Sequence, residues 1–297
     1  MTEPKFPERI DLDMDSLGYE NFLSAWLHKG DRGNFLVDPG PAATIDHLVA
    51  EMHARGAETL DWILLTHIHL DHAGGVGHLV RHFPEARVVC HEKAVEHLID
   101  PARLQEGSLK VLGKVAEAYG EIRPVPADRV LSVGSVEFED GITVIPSPGH
   151  AAHHQCFVFR DILFCGELYG VFQRLANGFY LRPATPPRFA ADVFFASMDA
   201  VRPYAAKTLC FGHHGAFPDG AEIAETAQRQ LSLWLDVIGS RPDEMDMPDV
   251  VETLKKRDPV FARMDQLSAK DREREQYFIG NSIKGIAGYL GKTVSGS

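Results

Sequence analysis

Long apolar runs are missing from this sequence. No stretch approaches the ~18 apolar residues that a membrane-spanning helix needs, so no membrane partner is expected. Basic residues are in the minority, 30 Lys and Arg against 42 Asp and Glu, for a formal net charge of −12. With no basic run or arm, the chain offers no phosphate-tracking surface, and nucleic acid is not an expected partner. A small anionic substrate stays open, because bound divalent ions make a site positive whatever the surface carries. Cysteines are few: Cys90, Cys156, Cys165 and Cys210, scattered and without a C-x-x-C pair. Each lies in a strand-like apolar run, which predicts reduced, buried thiols rather than disulfides or metal ligands. Residues 1–15 are charged, contain prolines and lack the apolar core of a secretory signal, so a cytoplasmic location is expected. Internal repeats and low-complexity segments are lacking as well.

What is present is ordinary globular composition, 44% apolar and 24% charged, enough for one sizeable core or a main domain with an appendage. Strand patterns fall at 21–28, 34–38, 62–65, 87–90, 130–133, 142–145, 156–159, 162–165 and 207–211. Helical patterns fall at 43–55, 72–83 and 190–201, with a less patterned helical insertion at 101–120. Pro84 stops the second of these. Beyond residue 220 the character changes to helices alone, at 221–237, 248–256 and 270–290, with no strand signal between them. Interspersed strands and helices predict an α+β protein of two sheets packed face to face and covered by helices. The expected domains are a catalytic unit at 1–219 and a helical extension at 220–297.

The chemistry concentrates at Thr66-His67-Ile68-His69-Leu70-Asp71-His72, directly after the apolar strand at 62–65. Extended backbone would point His67, His69 and Asp71 to one side, and the turn into the next helix would bring in His72. Imidazole and carboxylate together suit zinc, iron or manganese. A solvated, histidine-rich turn is the bland alternative, and four donors straight after a buried strand argue against it.

The pattern His67-x-His69-x-Asp71-His72 resembles the signature of the metallo-β-lactamase superfamily. Ser147-Pro148-Gly149-His150 resembles that family's second motif, Cys165-Gly166-Glu167 its glycine–carboxylate motif, and Gly212-His213 its terminal histidine. The intervals of 78, 17 and 46 residues between His72, His150, Glu167 and His213 keep the family's order. The resemblance implies an αββα sandwich holding two divalent metal ions, Zn2+ first, with Fe or Mn as alternatives. His67, His69 and His150 would bind one ion; Asp71, His72 and His213 would bind the other. Glu167 departs from the family's usual aspartate: it either bridges the two ions or binds one only. His213 and His214 compete for the last place, and the family pattern favours His213.

The implied activity is a metal-dependent hydrolase in which a metal-held hydroxide attacks a small ester, thioester or lactone, with Asp71 orienting the water. An iron oxygenase resembling the superfamily's persulfide dioxygenases is the alternative, using His67, His150 and Glu167; a diiron oxidoreductase, a phosphodiesterase and a non-catalytic metal-binding protein rank lower. Tyr169 and Phe172, directly after Glu167, are expected to line the substrate pocket with Tyr180, Arg182 and His154; ordinary packing is the competing reading for each. The last helical segment carries an irregular apolar face (Tyr277, Phe278, Ile283, Ile286, Ala287, Leu290) that either docks onto the main domain or forms a homodimer contact.

Overall fold

In the computed structural model, which describes residues 6–31, 33–136, 138, 141–205 and 207–296, apolar side chains alternate along the central strands and both strand faces are buried. The first sheet runs in chain order: β1 (Glu8–Met14), β2 (Tyr19–Gly30), β3 (Gly33–Val37), β4 (Trp62–Leu64), β5 (Arg87–Cys90) and β6 (Val130–Ser132). Pairing is antiparallel from β1 to β3 and parallel from β3 to β6. The second sheet uses β7 (Ile142–Pro146), β8 (Gln155–Phe159), β9 (Ile162–Gly166), then, after a separate hairpin of β10 (Val171–Leu175) and β11 (Gly178–Arg182), β12 (Thr208–Phe211) and β13 (Ala216–Phe217). Its order is β13-β12-β9-β8-β7.

The period-two rule assigns each strand residue to a layer. Trp26, Phe35, Val37, Leu64, Val89, Phe157, Phe159, Phe164 and Cys210 share one cluster between the sheets. Their chain neighbours Leu27, Leu36, Ile63 and Val88 turn outward into a second cluster, under α1 (Ile45–Ala54), α2 (Leu70–Ala73), α3 (Val76–His82), α4 (Val95–Ile99), α5 (Ala102–Leu112) and α6 (Lys114–Tyr119). Cys156, Leu163, Leu209 and Phe211 turn the other way, into a third cluster with α7 (Ala191–Val201) and the C-terminal helices. Four layers result, helix, sheet, sheet and helix, which is the αββα sandwich expected. All four cysteines are free and buried. Burial pushes the Cys90 and Cys156 thiols up to about 12, so they are inert apolar filling.

The C-terminal part holds α8 (Gly220–Gly239), α9 (Met247–Arg257) and α10 (Ala269–Tyr289). The expected boundary at 219/220 falls at the first residue of α8, and the segments on either side share one core. Phe172 and Phe211 of the sandwich lie in the same cluster as Trp234, Ile283 and Ile286 of the extension. Helix α10 is therefore docked on its own chain along Ile279, Ile283, Ile286 and Ala287. Among the described residues no helix is long and apolar enough to cross a membrane.

Several local expectations need correction. Residues read as a charged N-terminal segment include strand β1, where Ile10, Leu12 and Met14 are buried and charged residues alternate with them. The single helix expected at 72–83 is two, parted at Gly74-Gly75, where the Gly75 N–H donates to the Gly40 carbonyl instead of continuing the helix and a side chain on Gly75 would collide with Ile45. The extension is not wholly helical: β14 (Glu244–Asp246) pairs in parallel with β15 (Thr293–Ser295).

Candidate metal centre

Each of the four motifs lies just beyond a strand. The β4 strand hands the chain to His67, His69, Asp71 and His72; β9 ends at Gly166 before Glu167; β12 ends at Phe211 before His213; and His150 sits in the connection from β7 to β8. The topology gathers these ends into two neighbouring donor sets. His67, His69, His150 and Glu167 form one and Asp71, His72 and His213 the other, with the donor atoms of each set within 4.8 Å of one another.

The Glu167 carboxylate lies between the sets. Its Oε2 is 2.9 Å from His150 Nε2, 3.5 Å from His67 Nε2 and 3.6 Å from His72 Nε2, while Oε1 is 3.6 Å from His213 Nε2. The Asp71 Oδ2 is 3.8 Å from His72 Nε2 and 3.7 Å from His213 Nε2. His150 Nε2 and His69 Nδ1 are 2.9 Å apart. Gathering so many imidazole nitrogens with only two carboxylates suits a cation better than a hydrogen-bond network. Two nitrogens bear this out: His67 Nε2 and His72 Nε2 are buried without a hydrogen-bond partner, a costly arrangement unless something else meets them. The donor set therefore fits divalent metal.

The outer nitrogens fix how the rings face. His150 Nδ1 lies 2.9 Å from the Ala184 carbonyl and His213 Nδ1 3.3 Å from that of Phe22; donating there leaves Nε2 free to face the centre. Asp38 steadies two further rings. Its Oδ2 accepts from the Thr66 hydroxyl at 2.6 Å and lies 3.1 Å from His72 Nδ1, while the Thr66 oxygen is 3.1 Å from His67 Nδ1. One buried carboxylate thus orients one histidine of each set. Sequence reading places Asp38 only at the end of a strand; its role depends on Thr66, 28 residues away.

Electrostatics follow from burial. His67, His69 and His213 are held well below the usual histidine value, chiefly because burial penalises their charged forms. Neutral imidazole is the form that offers a lone pair to a metal. Burial also works against a charged His72, but Asp71, Asp38 and Glu167 outweigh it and hold that ring well above the usual value. Burial would raise Glu167, yet His150 and the neighbouring rings hold it well below the usual carboxylate range.

Of the residues expected at a substrate pocket, none is on an open wall. His154 is fully buried behind Glu167: its Nε2 accepts the Glu167 backbone N–H at 3.2 Å and its Nδ1 lies 2.9 Å from the Ser147 hydroxyl. Phe172 is core, stacked on Phe211. Tyr180 and Arg182 are buried and bind Glu275 of α10. Tyr169 is buried beside Leu168, Ala184, Phe194 and Met198. Chain proximity to Glu167 points to the site, but the β10–β11 hairpin carries this stretch into the packing against the extension. His214, the rival of His213, points away from the donors and contacts Arg274. Sequence reasoning also passes over Tyr119 of α6. Its hydroxyl is buried with no partner among the described residues, and Asp71 adds to the upward push that burial gives it.

Gly166 makes the contact between His154 and Glu167 possible. Its φ is +51°, and a Cβ there would stand 2.5 Å from His154 Nε2 and 2.9 Å from Thr66 Oγ1. Gly166→Ala is expected to shift Glu167 and weaken metal binding by roughly 10- to 100-fold, the scale for lost supporting contacts. Competition against a chromophoric chelator measures it; unchanged affinity would show that Glu167 tolerates the displacement.

The sequence model of the metallo-beta-lactamase superfamily matches residues 19–213, which contain all seven donors. A metallo-beta-lactamase fold-containing protein of Sulfurisphaera tokodaii is 31% identical over 205 residues, 66% of this chain and 74% of that protein. Hydroxyacylglutathione hydrolase of Salmonella paratyphi A is 31% identical over 153 residues, 50% of this chain, and the match spans only 47% of that enzyme's length. Among solved structures, an archaeal metallo-beta-lactamase superfamily protein from Sulfolobus tokodaii superimposes with TM-score 0.65 at 23% identity, covering 89% of this chain and 92% of the other. A metallo-beta-lactamase family protein from Thermus thermophilus gives 0.57 at 20%, covering 78% and 80%. With the matched region running through every donor and the fold shared, this chain belongs to the metallo-beta-lactamase superfamily.

Proposed function

We propose that this enzyme hydrolyses a small ester, thioester or lactone at a dinuclear centre. His67, His69 and His150 would hold one divalent ion and Asp71, His72 and His213 the other, with Glu167 between them. The observation that carries this reading is the Glu167 carboxylate, which turns one oxygen toward His150 and His67 and the other toward His213. The extra methylene over aspartate does not keep it from reaching both sets. Zinc suits imidazole and carboxylate donors best, and iron and manganese accept them too. When bound, such ions lower the pKa of a coordinated water toward neutrality and polarise the substrate's carbonyl oxygen.

The chain's own groups do the rest. Asp71 is the more open of the two carboxylates, with a side chain 15% exposed against 9% for Glu167, so it is the one that meets and orients an entering water. Asp38, through His72 and through Thr66, keeps both sets facing inward during turnover. Residues 1–219 carry the chemistry in this reading, and residues 220–297 brace it. The similar proteins named hydroxyacylglutathione hydrolase lend support to an acyl substrate of small size. The competing oxygenase needs only one complete donor set, and the second set of Asp71, His72 and His213 gives it no use.

Elemental analysis of protein purified without added metal tests the reading. About two ions per chain, with turnover on a panel of thioesters, esters and lactones, is the expected outcome. A single iron with oxygen uptake and no hydrolysis would overturn it.

A further inference from the structure

We propose that Arg274, on a helix outside the family's matched region, is a positioning residue that holds the donor His213 in place through Phe22 and His214. This rests on the dinuclear reading, since it concerns one of the two donor sets.

His213 lies in the short, buried connection between β12 and β13, where its backbone bridges to Leu23 of β2. Phe22 and His214 bear on its ring and its neighbouring backbone. The Phe22 carbonyl lies 3.3 Å from His213 Nδ1 and accepts the His214 backbone N–H at 3.2 Å, and the Phe22 ring lies 4.5 Å from the His213 ring. His214 takes a left-handed conformation, with φ +54°, in which its ring meets Arg274 while that of His213 meets the donors. A non-glycine residue keeps such a conformation only when its surroundings impose it.

Arg274 supplies that imposition. Its Nη2 is 3.1 Å from His214 Nε2, and because a guanidinium only donates, His214 must accept there. The same guanidinium lies 4.7 Å over the Phe22 ring, so one buried side chain touches both elements that hold His213. Arg274 is itself fixed, by Asp271 at 2.7 Å and Gln173 at 3.3 Å. Without it, the half-buried His214 Nε2 would lose its donor and Phe22 would keep only its ring contacts with Tyr19, Phe278 and the two histidines. Helix α10 reaches the other set by a different residue, Ser282, which bonds Pro183 and Thr185 on either side of the Ala184 carbonyl that faces His150, so the effect of Arg274 should be confined to the set of His213.

The test is a Co2+ titration of metal-stripped full-length protein, read by visible absorption and by bound ions per chain. In Arg274→Met one ion should bind as in the wild type and the other 10- to 100-fold more weakly, the approximate scale seen when a supporting contact to a donor is lost. Arg274→Lys, which keeps a donor, should recover part of the loss. Lys284→Ala, exposed on the same helix, should keep both affinities. If Arg274→Met fails to fold, losing both ions and its near-ultraviolet circular dichroism, His214→Leu tests the same contact with Arg274 in place and should show the same selective loss. Two ions bound at wild-type affinity in the folded variants, or equal weakening of both, overturns the inference alone. A wild-type count below two overturns the dinuclear reading, and this inference with it.

Discussion

The double replacement Asp71→Ala, His72→Ala should abolish turnover and leave at most one tightly held ion per chain. Both residues lie in the same donor set, so only His213 and one oxygen of the shared Glu167 are left to it, too few to hold a divalent ion tightly against water. The opposite set keeps His67, His69, His150 and Glu167, which is why some metal should persist. Activity should fall further than the roughly 10²- to 10³-fold associated with one preorganised stabilising group, because a donor set and the water-orienting carboxylate go together. Folding is not expected to collapse. In the absence of metal, bringing these side chains together is a burden: His72 Nε2 is buried without a hydrogen-bond partner, and burial raises Asp71 above the usual carboxylate value. The apo variant should therefore melt no lower than the apo wild type, apart from the lost contact between His72 and Asp38. Metal content and rate are to be measured together. Wild-type turnover with one ion bound would mean that the second set plays no part in the chemistry.

The donors are legible in the sequence because each follows a strand that announces itself. Ile63-Leu64-Leu65 before His67, Ile162 to Cys165 before Glu167, and Leu209 to Phe211 before His213 are apolar runs buried on both faces. The outcome at Asp38 and Arg274 differs because their meaning lies in partners distant along the chain. Asp38 acts through Thr66 and His72, and Arg274 through His214, 60 residues away. Strands β14 and β15 pair across about fifty residues with three residues each, too short for a period to show. Strand β1 is legible in principle, since Ile10, Leu12 and Met14 alternate, but its charged neighbours mask the pattern. Tyr180 and Arg182 fail as pocket residues for a related reason. Proximity to Glu167 along the chain points one way, while an acidic partner 93 residues on, Glu275, draws Arg182 the other.

That partner sets the largest stability effect expected in the extension. Glu275 is fully buried, and its Oε2 accepts from Arg182 Nε at 2.5 Å and from the Tyr180 hydroxyl at 3.0 Å, while Oε1 is 3.5 Å from Arg274 Nε. One carboxylate thus balances two buried guanidinium groups. Glu275→Ala leaves the buried Arg182 without its carboxylate, while Arg274 keeps Asp271, and opens a void beside them; breaking a buried pair in this way costs about 3–5 kcal/mol. A typical domain has only about 5–15 kcal/mol in total, so the loss should be plain in urea unfolding. Glu275→Gln keeps the volume and one acceptor, and should cost less. Acid should reproduce the effect in the wild type. Burial works against a charged Glu275, but Arg182 and Arg274 outweigh it and hold the carboxyl below its ordinary value of 4.5. Its contribution is therefore complete above the unfolded value and fades as pH falls through the lower folded one. Below pH 4.5 the wild type should lose stability that Glu275→Gln never had, so the gap between the two narrows as acid is added. Because the same carboxylate lies against Arg274, Glu275→Ala should also loosen the helix that reaches His214, and weaken the metal set containing His213. An unfolding midpoint equal to that of the wild type would mean that α10 is held by its apolar face alone, through Ile279, Ile283 and Ile286.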